Sequence, residues 1–453
     1  MDIEDPRGSK WAGVVPGVAG IAAASVAQPG QAFASACAQV RRLRLANGLN
    51  VLVWSDHNIP NIALYNWVRV GSRNEGSGTS GLAHFFEHMM FNGTTRRAAG
   101  EFDRLMEAHG VSNNAYTSQD VTVYQDWLPR AALEIVFELE SDRLANLAFD
   151  PEVVENERKV VYSERRLRVE DSNAGLLEEQ VQATAFIAHP YRIPTIGWPS
   201  DIQSWTIADL QRFYGTYYAP NNCTLLLVGD VQAEEAFALA QKYFEPIPGR
   251  EPAPPVLTVE PAQRGERRLV LERPGQNPLL QYAYHAIAAS DAREPALNIL
   301  QTILLGGDAS RLHRALVEER ALAVAIGGGW PEGFDPNIFS IQATLPQGGD
   351  LEEAERALDA QLARLLRDGV TEPELRRAKN LVAAEFWRGV STIDGKARLL
   401  GEYAVMHGDH RLLFAAPELY ERVSRADVEQ VARTLFNPER RTVGVLRPLP
   451  EAA

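Results

Sequence analysis

The most informative part of the chain reads Gly81-Leu82-Ala83-His84-Phe85-Phe86-Glu87-His88-Met89. The apolar residues around the two histidines predict a helix that is largely buried. His84 and His88 are four residues apart, so a helix places both imidazoles on one face, about one turn apart. Burying two histidines and Glu87 without partners is costly, and a bound metal ion is the simplest partner.

Two histidine nitrogens at this spacing can bind one zinc ion at about 2.0–2.1 Å each. Glu87 lies beside His88 in the sequence and can accept a proton from a water molecule on the metal, whose pKa the metal lowers toward about 7. The alternative is a polar cluster held together by hydrogen bonds alone.

A catalytic zinc site needs a third protein ligand. The helix predicted to begin near Pro151 offers Glu155, Glu157 and Glu164. Glu157 and Glu164 share a helix face, but the rise of about 1.5 Å per residue separates them by roughly 10 Å. They therefore cannot both bind one ion, and spacing alone does not identify the ligand. The other carboxylate would orient a histidine or support the ligand helix.

Composition excludes several classes of protein. The net charge of -14 argues against non-specific nucleic-acid binding, which needs a basic surface. The only two cysteines, Cys37 and Cys223, can form neither a disulfide framework nor a cysteine metal site. Any metal must therefore be held by histidines and carboxylates.

A proline-rich segment separates two similar halves of the chain. Residues 246–266 contain six prolines, a density that predicts an interdomain linker. Asp209 to Pro220 in the first half and Asp427 to Pro438 in the second have the same spacing. Each of these two intervals covers a predicted helix that begins with a hydroxyl N-cap and ends at the proline. A strand follows each helix. This repetition predicts an internal duplication.

We therefore expect an α+β protein with two tandem homologous α/β-roll domains, each a mostly antiparallel sheet packed with helices. The first, zinc-binding domain would cover residues 40–245. The second, without the zinc motif, would cover residues 267–450.

Residues 1–36 have the layout of a secretory signal peptide. A basic start precedes an apolar run from Trp11 to Val26, and small residues favour cleavage near Ala34 or Ala36. The alternatives are a disordered tail or a start site assigned too far upstream. A signal peptide predicts a periplasmic or otherwise exported protein, and its absence a cytoplasmic one. No segment approaches the about 18 consecutive apolar residues of a transmembrane span.

His84-x-x-Glu87-His88 is the inverted form of the commoner zinc-protease motif. One further segment precedes this motif, Gly71-Ser72-Arg73-Asn74-Glu75. Others follow it in a defined order: Phe91-Asn92-Gly93-Thr94, Asn114-Ala115-Tyr116-Thr117-Ser118, Glu157-Arg158-Lys159-Val160-Val161, His189-Pro190-Tyr191 and Gly197. Together they resemble the pitrilysin/insulysin family of zinc metallopeptidases, which includes the mitochondrial processing peptidases. The resemblance covers residues 40–450 and is more specific in the first half.

The resemblance implies a role for each residue of the motif. It implies that Glu164, 76 residues after His88, is the third zinc ligand beside His84 and His88, with one Zn²⁺ per chain. It further implies that Glu157 supports the site and that Glu87 is the general base.

The segment Asn114, Ala115, Tyr116 and Thr117 matches the family's substrate-binding edge strand. An exposed edge presents unpaired N–H and C=O groups, to which an extended peptide can add as another strand. Backbone pairing tolerates many sequences, so unstructured peptides are the expected substrates. The alternative is a loop and strand start with ordinary turn residues.

One departure concerns the second half. Single-chain and homodimeric members carry an arginine and a tyrosine there, seven residues apart, which help to hold the substrate. Val317 and Val324 occupy these positions, and neither side chain can donate a hydrogen bond. We therefore expect a heterodimer in which a homologous partner subunit supplies the Arg/Tyr pair. The alternatives are a homodimer, a chain active alone, or a different alignment of the second half.

The sequence thus predicts a zinc-dependent endopeptidase subunit. Two alternatives remain: a non-catalytic structural or assembly subunit of the same fold, and a zinc hydrolase that acts on another class of substrate. Loss of metal ligands would favour the structural subunit, and all four residues of the proposed centre are present here.

Overall fold

Two β-sheets, one in each half of the chain, organise the fold. The computed structural model describes Phe33 and residues 36–449. The strands of the first half are β1 (Val40–Arg44), β2 (Asn50–Ser55), β3 (Asn61–Val68), β4 (Ser112–Thr117), β5 (Thr122–Pro129) and β6 (Cys223–Gly229). Those of the second half are β7 (Arg267–Pro274), β8 (Leu279–His285), β9 (Ala325–Gly329), β10 (Ile338–Thr344) and β11 (Arg441–Leu449).

The two sheets share one topology. The first has the strand order β1-β2-β6-β3-β5-β4 and the second β7-β11-β8-β10-β9. Each contains a single parallel pair, β2 with β6 and β7 with β11, and the other neighbours are antiparallel. Without β1, the order and directions coincide. The predicted α+β fold with two similar, mostly antiparallel sheets is confirmed.

Helices pack against both sheets. Those of the first half are α1 (Leu82–Met89), α2 (Glu101–Ala108), α3 (Leu133–Asn146), α4 (Pro151–Arg165), α5 (Asn173–Ala185), α6 (Pro199–Ser204), α7 (Ile207–Tyr217) and α8 (Ala233–Tyr243). Those of the second half are α9 (Glu294–Leu305), α10 (Arg311–His313), α11 (Leu351–Asp368), α12 (Glu372–Gly389), α13 (Ile393–Gly401), α14 (Arg411–Arg422) and α15 (Arg425–Leu435).

The helix predicted to begin near Pro151 is α4, which ends at Arg165. A π-helical turn, Arg166–Glu170, follows α4 and leads into α5. Ser172 caps the new helix, because its hydroxyl accepts a hydrogen bond of 3.1 Å from the N–H of Gly175. Glu164 therefore lies in the last turn of α4, directly before the π-helical turn.

The halves exchange helices. In the first half α5 packs against β11 and β8 of the second sheet, whereas α13 packs against β6 and β3 of the first. Leu177 and Val181 of α5 are fully buried in this junction, and burying each contributes about 1.5–3 kcal/mol. Gly401 at the end of α13 lies against the indole of Trp67, where a Cβ would approach the ring to 2.3 Å. The two halves are therefore closely packed.

The signal peptide and the interdomain linker were also predicted from the sequence, and both stay predictions. The predicted signal peptide falls on residues that lie outside the described part, apart from Phe33 and Ala36. Residues 246–266 contain neither a helix nor a strand. Among the described residues, no helix is both long and apolar enough to cross a bilayer.

Candidate metal centre and peptide-binding strand

The helix α1 is held at its N-terminus by a carboxylate from the preceding loop. Glu75 accepts hydrogen bonds from the N–H of Gly81 at 2.6 Å and of Ala83 at 2.7 Å. Such N–H groups have no partner within a helix, and burial raises the pKa of Glu75. Glu75 was not predicted to cap this helix and belongs only to the segment Gly71 to Glu75 of the family resemblance. The absence of a capping side chain at Gly81 is the signal that could have identified it.

The structure brings His84, His88 and Glu164 together. The Oε2 atom of Glu164 lies 3.5 Å from Nε2 of His84 and 3.3 Å from Nε2 of His88. Each residue offers a ligand atom within 4.8 Å of the others, and no other such group occurs in the described part of the chain. Two helices position them, because α1 carries both histidines and α4 carries the glutamate.

These residues fit a zinc ion. Ligand atoms held tetrahedrally at about 2.0–2.1 Å from one zinc lie roughly 3.3–3.4 Å from each other, close to the two distances between Glu164 and the histidines. Buried Nδ1 of His84 and buried Oε2 of Glu164 have no hydrogen-bond partner in the protein. Polar atoms that are buried and unpaired are costly, and a metal would relieve that cost for Glu164.

The three glutamates of α4 have different surroundings. Glu157 accepts a hydrogen bond of 2.8 Å from Nδ1 of His88, on the side of the ring away from Glu164. Glu155 pairs instead with Arg158, at 3.1 Å, and its side chain is half exposed. The geometry therefore favours Glu164 as the ligand, Glu157 as the support of His88, and no role for Glu155 at the centre.

Asn92 completes the support of His88. Its Nδ2 donates to Oε2 of Glu157 at 2.7 Å and to the backbone oxygen of His88 at 3.3 Å. A carboxylate that holds the second nitrogen of a histidine fixes the orientation of the ring toward a metal. Asn92 was not predicted as a site residue. It lies in the turn that follows α1, where its N–H donates to the backbone oxygen of Met89 at 2.9 Å, and this turn brings it back beside His88.

The two histidines have opposite charge preferences. Burial, together with the neighbouring His88, lowers the pKa of His84 to about 4. Burial also opposes charge on His88, but its hydrogen bond with Glu157 and the nearby carboxylate of Glu164 outweigh that effect and raise its pKa to about 9. The proximity of His88 in turn lowers the pKa of Glu164. Near pH 7 these pKa values leave His84 neutral, His88 protonated and Glu164 ionised, and a bound metal would replace the proton on Nε2 of His88.

Glu87 stands apart from the three candidate ligands. Its Oε2 accepts a hydrogen bond of 2.6 Å from the hydroxyl of Thr117, the last residue of β4. Burial raises the pKa of Glu87, which suits a group that takes up and releases a proton. Glu87 is next to His88 in the sequence, but in the described structure the two side chains form no hydrogen bond with each other.

The strand β4 forms an edge of the first sheet. It pairs with β5 alone among the described strands, and Asn114 is exposed. Tyr116 packs edge-on against Trp67, with the ring centroids 6.3 Å apart. The segment from Asn114 to Thr117 thus leads along an open edge toward Glu87.

A cavity of about 700 Å³ opens beside this edge. Its lining includes His84, Thr117, Leu167, Arg168 and Glu178. Arg168 pairs with Oε1 of Glu164 at 2.9 Å. This ion pair follows the i, i+4 spacing of a helix and was not predicted. The cavity is large enough to admit side chains of a bound peptide.

The two valines of the second half lie near the start of β9. Val317 belongs to the π-helical turn Arg314–Glu318 and packs against the core of the second half, whereas Val324 is 56% exposed. Ala321 between them has a φ of 50°, a left-handed conformation that favours glycine. The structure therefore places apolar side chains where the resemblance expects an arginine and a tyrosine.

Comparison with known protein families gives two matches. The model described as "Insulinase (Peptidase family M16)" matches residues 50–198. The model described as "Peptidase M16 inactive domain" matches residues 204–382. The first match contains every residue of the candidate metal centre, and the second contains both valines.

Individual proteins resemble the chain over most of its length. The zinc protease PqqE of Helicobacter pylori is 31% identical over 408 residues, which cover 89% of this chain and 92% of that protein. An uncharacterized zinc protease of Mycobacterium leprae is 28% identical and covers 92% of this chain and 93% of its own. The crystal structure of a protease from Helicobacter pylori superposes with a TM-score of 0.87 at 30% identity and covers 90% of this chain and 99% of that chain.

Proposed function

Because the chain belongs to peptidase family M16, we propose that it is a zinc-dependent endopeptidase subunit that hydrolyses unstructured peptides. One observation carries the proposal. The side chains of His84, His88 and Glu164 converge, while the carboxylate of Glu87 is hydrogen-bonded to Thr117, the last residue of the edge strand β4. This arrangement supports a metal centre with a separate base.

In this proposal His84, His88 and Glu164 hold one Zn²⁺ per chain, and Glu157 orients His88. Zinc supplies a Lewis acid that polarises the peptide carbonyl and makes water more acidic. Glu87 accepts the proton of the attacking water and delivers it to the leaving amine. Its hydrogen bond from Thr117 keeps one oxygen fixed and leaves the other for the proton.

The peptide adds to β4 as a further antiparallel or parallel strand. Asn114, Ala115, Tyr116 and Thr117 supply the backbone groups for that pairing. A folded protein cannot offer an extended segment of this length without local unfolding, so the substrates are unstructured peptides.

A homologous second subunit supplies the Arg/Tyr pair. Val317 and Val324 support this part of the proposal, because neither can bind a peptide carbonyl or stabilise negative charge on its oxygen. A homodimer would present the same two valines. The valines also favour a second candidate, a non-catalytic structural or assembly subunit. Such a subunit, like one half of a heterodimer, does not need polar side chains at positions 317 and 324.

We also propose that the protein is exported and acts in the periplasm. The support is the composition of residues 1–36. Cell fractionation tests it, since a protein found only in the cytoplasm would contradict export.

The decisive experiment measures bound zinc and cleavage of an unstructured fluorogenic peptide, with and without the subunits that copurify with the chain. We expect one zinc per chain and cleavage that Glu87→Gln abolishes without loss of zinc. Zinc without cleavage, even with the copurified subunits present, would favour the structural role.

A further inference from the structure

The turn between β4 and β5 follows directly after Thr117 and is internally braced. The N–H of Ser118 donates to the backbone oxygen of Val121 at 2.8 Å. The hydroxyl of Ser118 accepts from the N–H groups of Asp120 and Val121, at 3.2 and 3.1 Å. We call residues 118–121 the β4–β5 turn. The turn begins at the residue after Thr117, whose hydroxyl donates to Glu87.

The first half holds this turn through Asp120, which is 2% exposed. Arg73 donates to Oδ1 of Asp120 at 3.0 Å, and the hydroxyl of Tyr191 donates to Oδ2 at 2.7 Å. The N–H of Arg73 also donates to the backbone oxygen of Gln119 at 2.9 Å. The buried carboxylate is thus paired with a cation and a hydroxyl, as burial of a charge requires.

The second half holds the same turn through the loop of residues 331–337, which connects β9 to β10. The N–H of Phe334 donates to Oδ2 of Asp120 at 3.1 Å. Nδ2 of Asn337, whose side chain is buried, donates to Oε1 of Gln119 at 2.6 Å. The 331–337 loop therefore contacts both residues at the tip of the turn.

We propose that Thr117 is a positioning residue for Glu87, and that the 331–337 loop fixes Thr117 through the β4–β5 turn. The inference rests on the proposed function, because it assigns the carboxylate of Glu87 to proton transfer. A displacement of about 1 Å in a reacting group can lower the rate about 100-fold. Residues that hold such a group must themselves be fixed by their neighbours. The second half thus contributes to the site of its own chain, although it carries no metal ligand.

The first test changes Thr117. Thr117→Val keeps the shape of the side chain and removes the hydroxyl, whereas Thr117→Ser keeps the hydroxyl. In the full chain purified with its copurifying subunits, we expect Thr117→Val to lower kcat on the order of 10- to 100-fold. KM for the peptide and the zinc content should change little, and Thr117→Ser should restore most of kcat. A purely structural role would not give this separation of kcat from KM or this rescue.

The second test changes the contact with the 331–337 loop. Asn337→Ala removes the donor to Gln119, and Gln119→Ala removes the same hydrogen bond from its more exposed side, which preserves the test if the buried variant fails to fold. Both should lower kcat in the unaltered protein and have little effect in the Thr117→Val background, because the contact acts through Thr117. Both should also speed hydrogen exchange of the amides in residues 117–121.

Lys396→Met is the matched control. The ammonium of Lys396 in α13 pairs with Asp56 of the first half, so this variant also breaks a contact between the halves but does not touch the turn. We expect it to leave kcat and exchange of residues 117–121 unchanged.

Three outcomes distinguish the proposals. Cleavage that persists in Glu87→Gln overturns the proposed function and this inference with it. Cleavage that Glu87→Gln abolishes and Thr117→Val leaves unchanged overturns the inference alone. Additive losses from Asn337→Ala and Thr117→Val, or unchanged exchange in residues 117–121, overturn the link to the second half.

Discussion

The imidazole of His88 lies between two glutamates of one helix: Nδ1 is 2.8 Å from Glu157, and Nε2 is 3.3 Å from Glu164. The two carboxylates approach opposite nitrogens of the ring, and so they have different tasks. In the proposed metal centre, Glu164 would bind the same zinc ion as His88, and Glu157 would hold the ring in place. Glu157 and Glu164 are seven residues apart, which is about two helical turns. Both carboxylates therefore lie on the same face of α4, one on each side of the imidazole.

Removing each carboxylate should therefore weaken zinc binding by different amounts. We expect Glu157→Gln to lower zinc affinity about 10- to 100-fold, the usual effect of losing a group that orients a ligand. Glu164→Gln should cost more, because it removes a ligand. Competition against a chelator of known affinity measures both. Glu155→Gln is the control on the same helix, and a Glu164→Gln protein with unchanged affinity would contradict the assignment.

The candidate metal centre could be predicted from a pattern within one helix. The spacing of His84 and His88 was enough to predict that they share a face, and the structure brings them together. Spacing alone left Glu155, Glu157 and Glu164 undecided, and only the family resemblance pointed to Glu164, because residues on one helix do not reveal which turn lies opposite a second helix. That choice depends on how α4 crosses α1, which is a property of tertiary packing.

The fold shows the same division between local and distant information. The repeated helix with a hydroxyl N-cap, followed each time by a strand, predicted two similar halves. The exchange of α5 and α13 between the halves was not predicted, because an amphipathic pattern shows that a helix has an apolar face and not which sheet covers it. Thr117 was predicted to bind substrate, but its hydrogen bond to Glu87 joins residues 30 positions apart.

Restoring the two polar groups of the second half should make the chain independent of a partner. We expect the double variant Val317→Arg, Val324→Tyr to cleave an unstructured peptide without other subunits, because the restored side chains can donate hydrogen bonds to the substrate and to its developing oxyanion. Each single substitution is the control and should give much less activity. A folded, zinc-loaded double variant without any gain would argue against the assignment of these positions.

Removing the carboxylate at the start of α1 should destabilise the site. Glu75→Ala leaves the buried N–H groups of Gly81 and Ala83 without partners, and each costs about 1–3 kcal/mol. We expect the free energy of unfolding to fall by about 2–6 kcal/mol in denaturant titrations, with weaker zinc binding. Glu75→Gln keeps one acceptor and should lose less. Equal stability of Glu75→Ala and the unaltered protein would show that α1 is capped in another way.

A buried glutamate far along the chain from the metal ligands should make stability depend on pH. Burial, and then the nearby Glu332 carboxylate, raises the pKa of Glu294 from 4.5 to about 7. Its Oε1 accepts a hydrogen bond of 2.9 Å from Tyr420. Because the folded state holds this proton more tightly, unfolding releases it between about pH 4.5 and 7. The contribution of Glu294 to stability is therefore complete below pH 4.5 and is lost as the pH rises to about 7.

Glu294→Gln should remove that dependence. The glutamine amide oxygen can accept the same hydrogen bond from Tyr420 without ionising. A shift of this size corresponds to about 3 kcal/mol, so the variant should gain up to about 3 kcal/mol relative to the unaltered protein between pH 4.5 and 8. Urea unfolding at several pH values measures the difference. Other ionisable groups affect both proteins equally, and a difference that stays constant with pH would show that Glu294 does not change its protonation on unfolding.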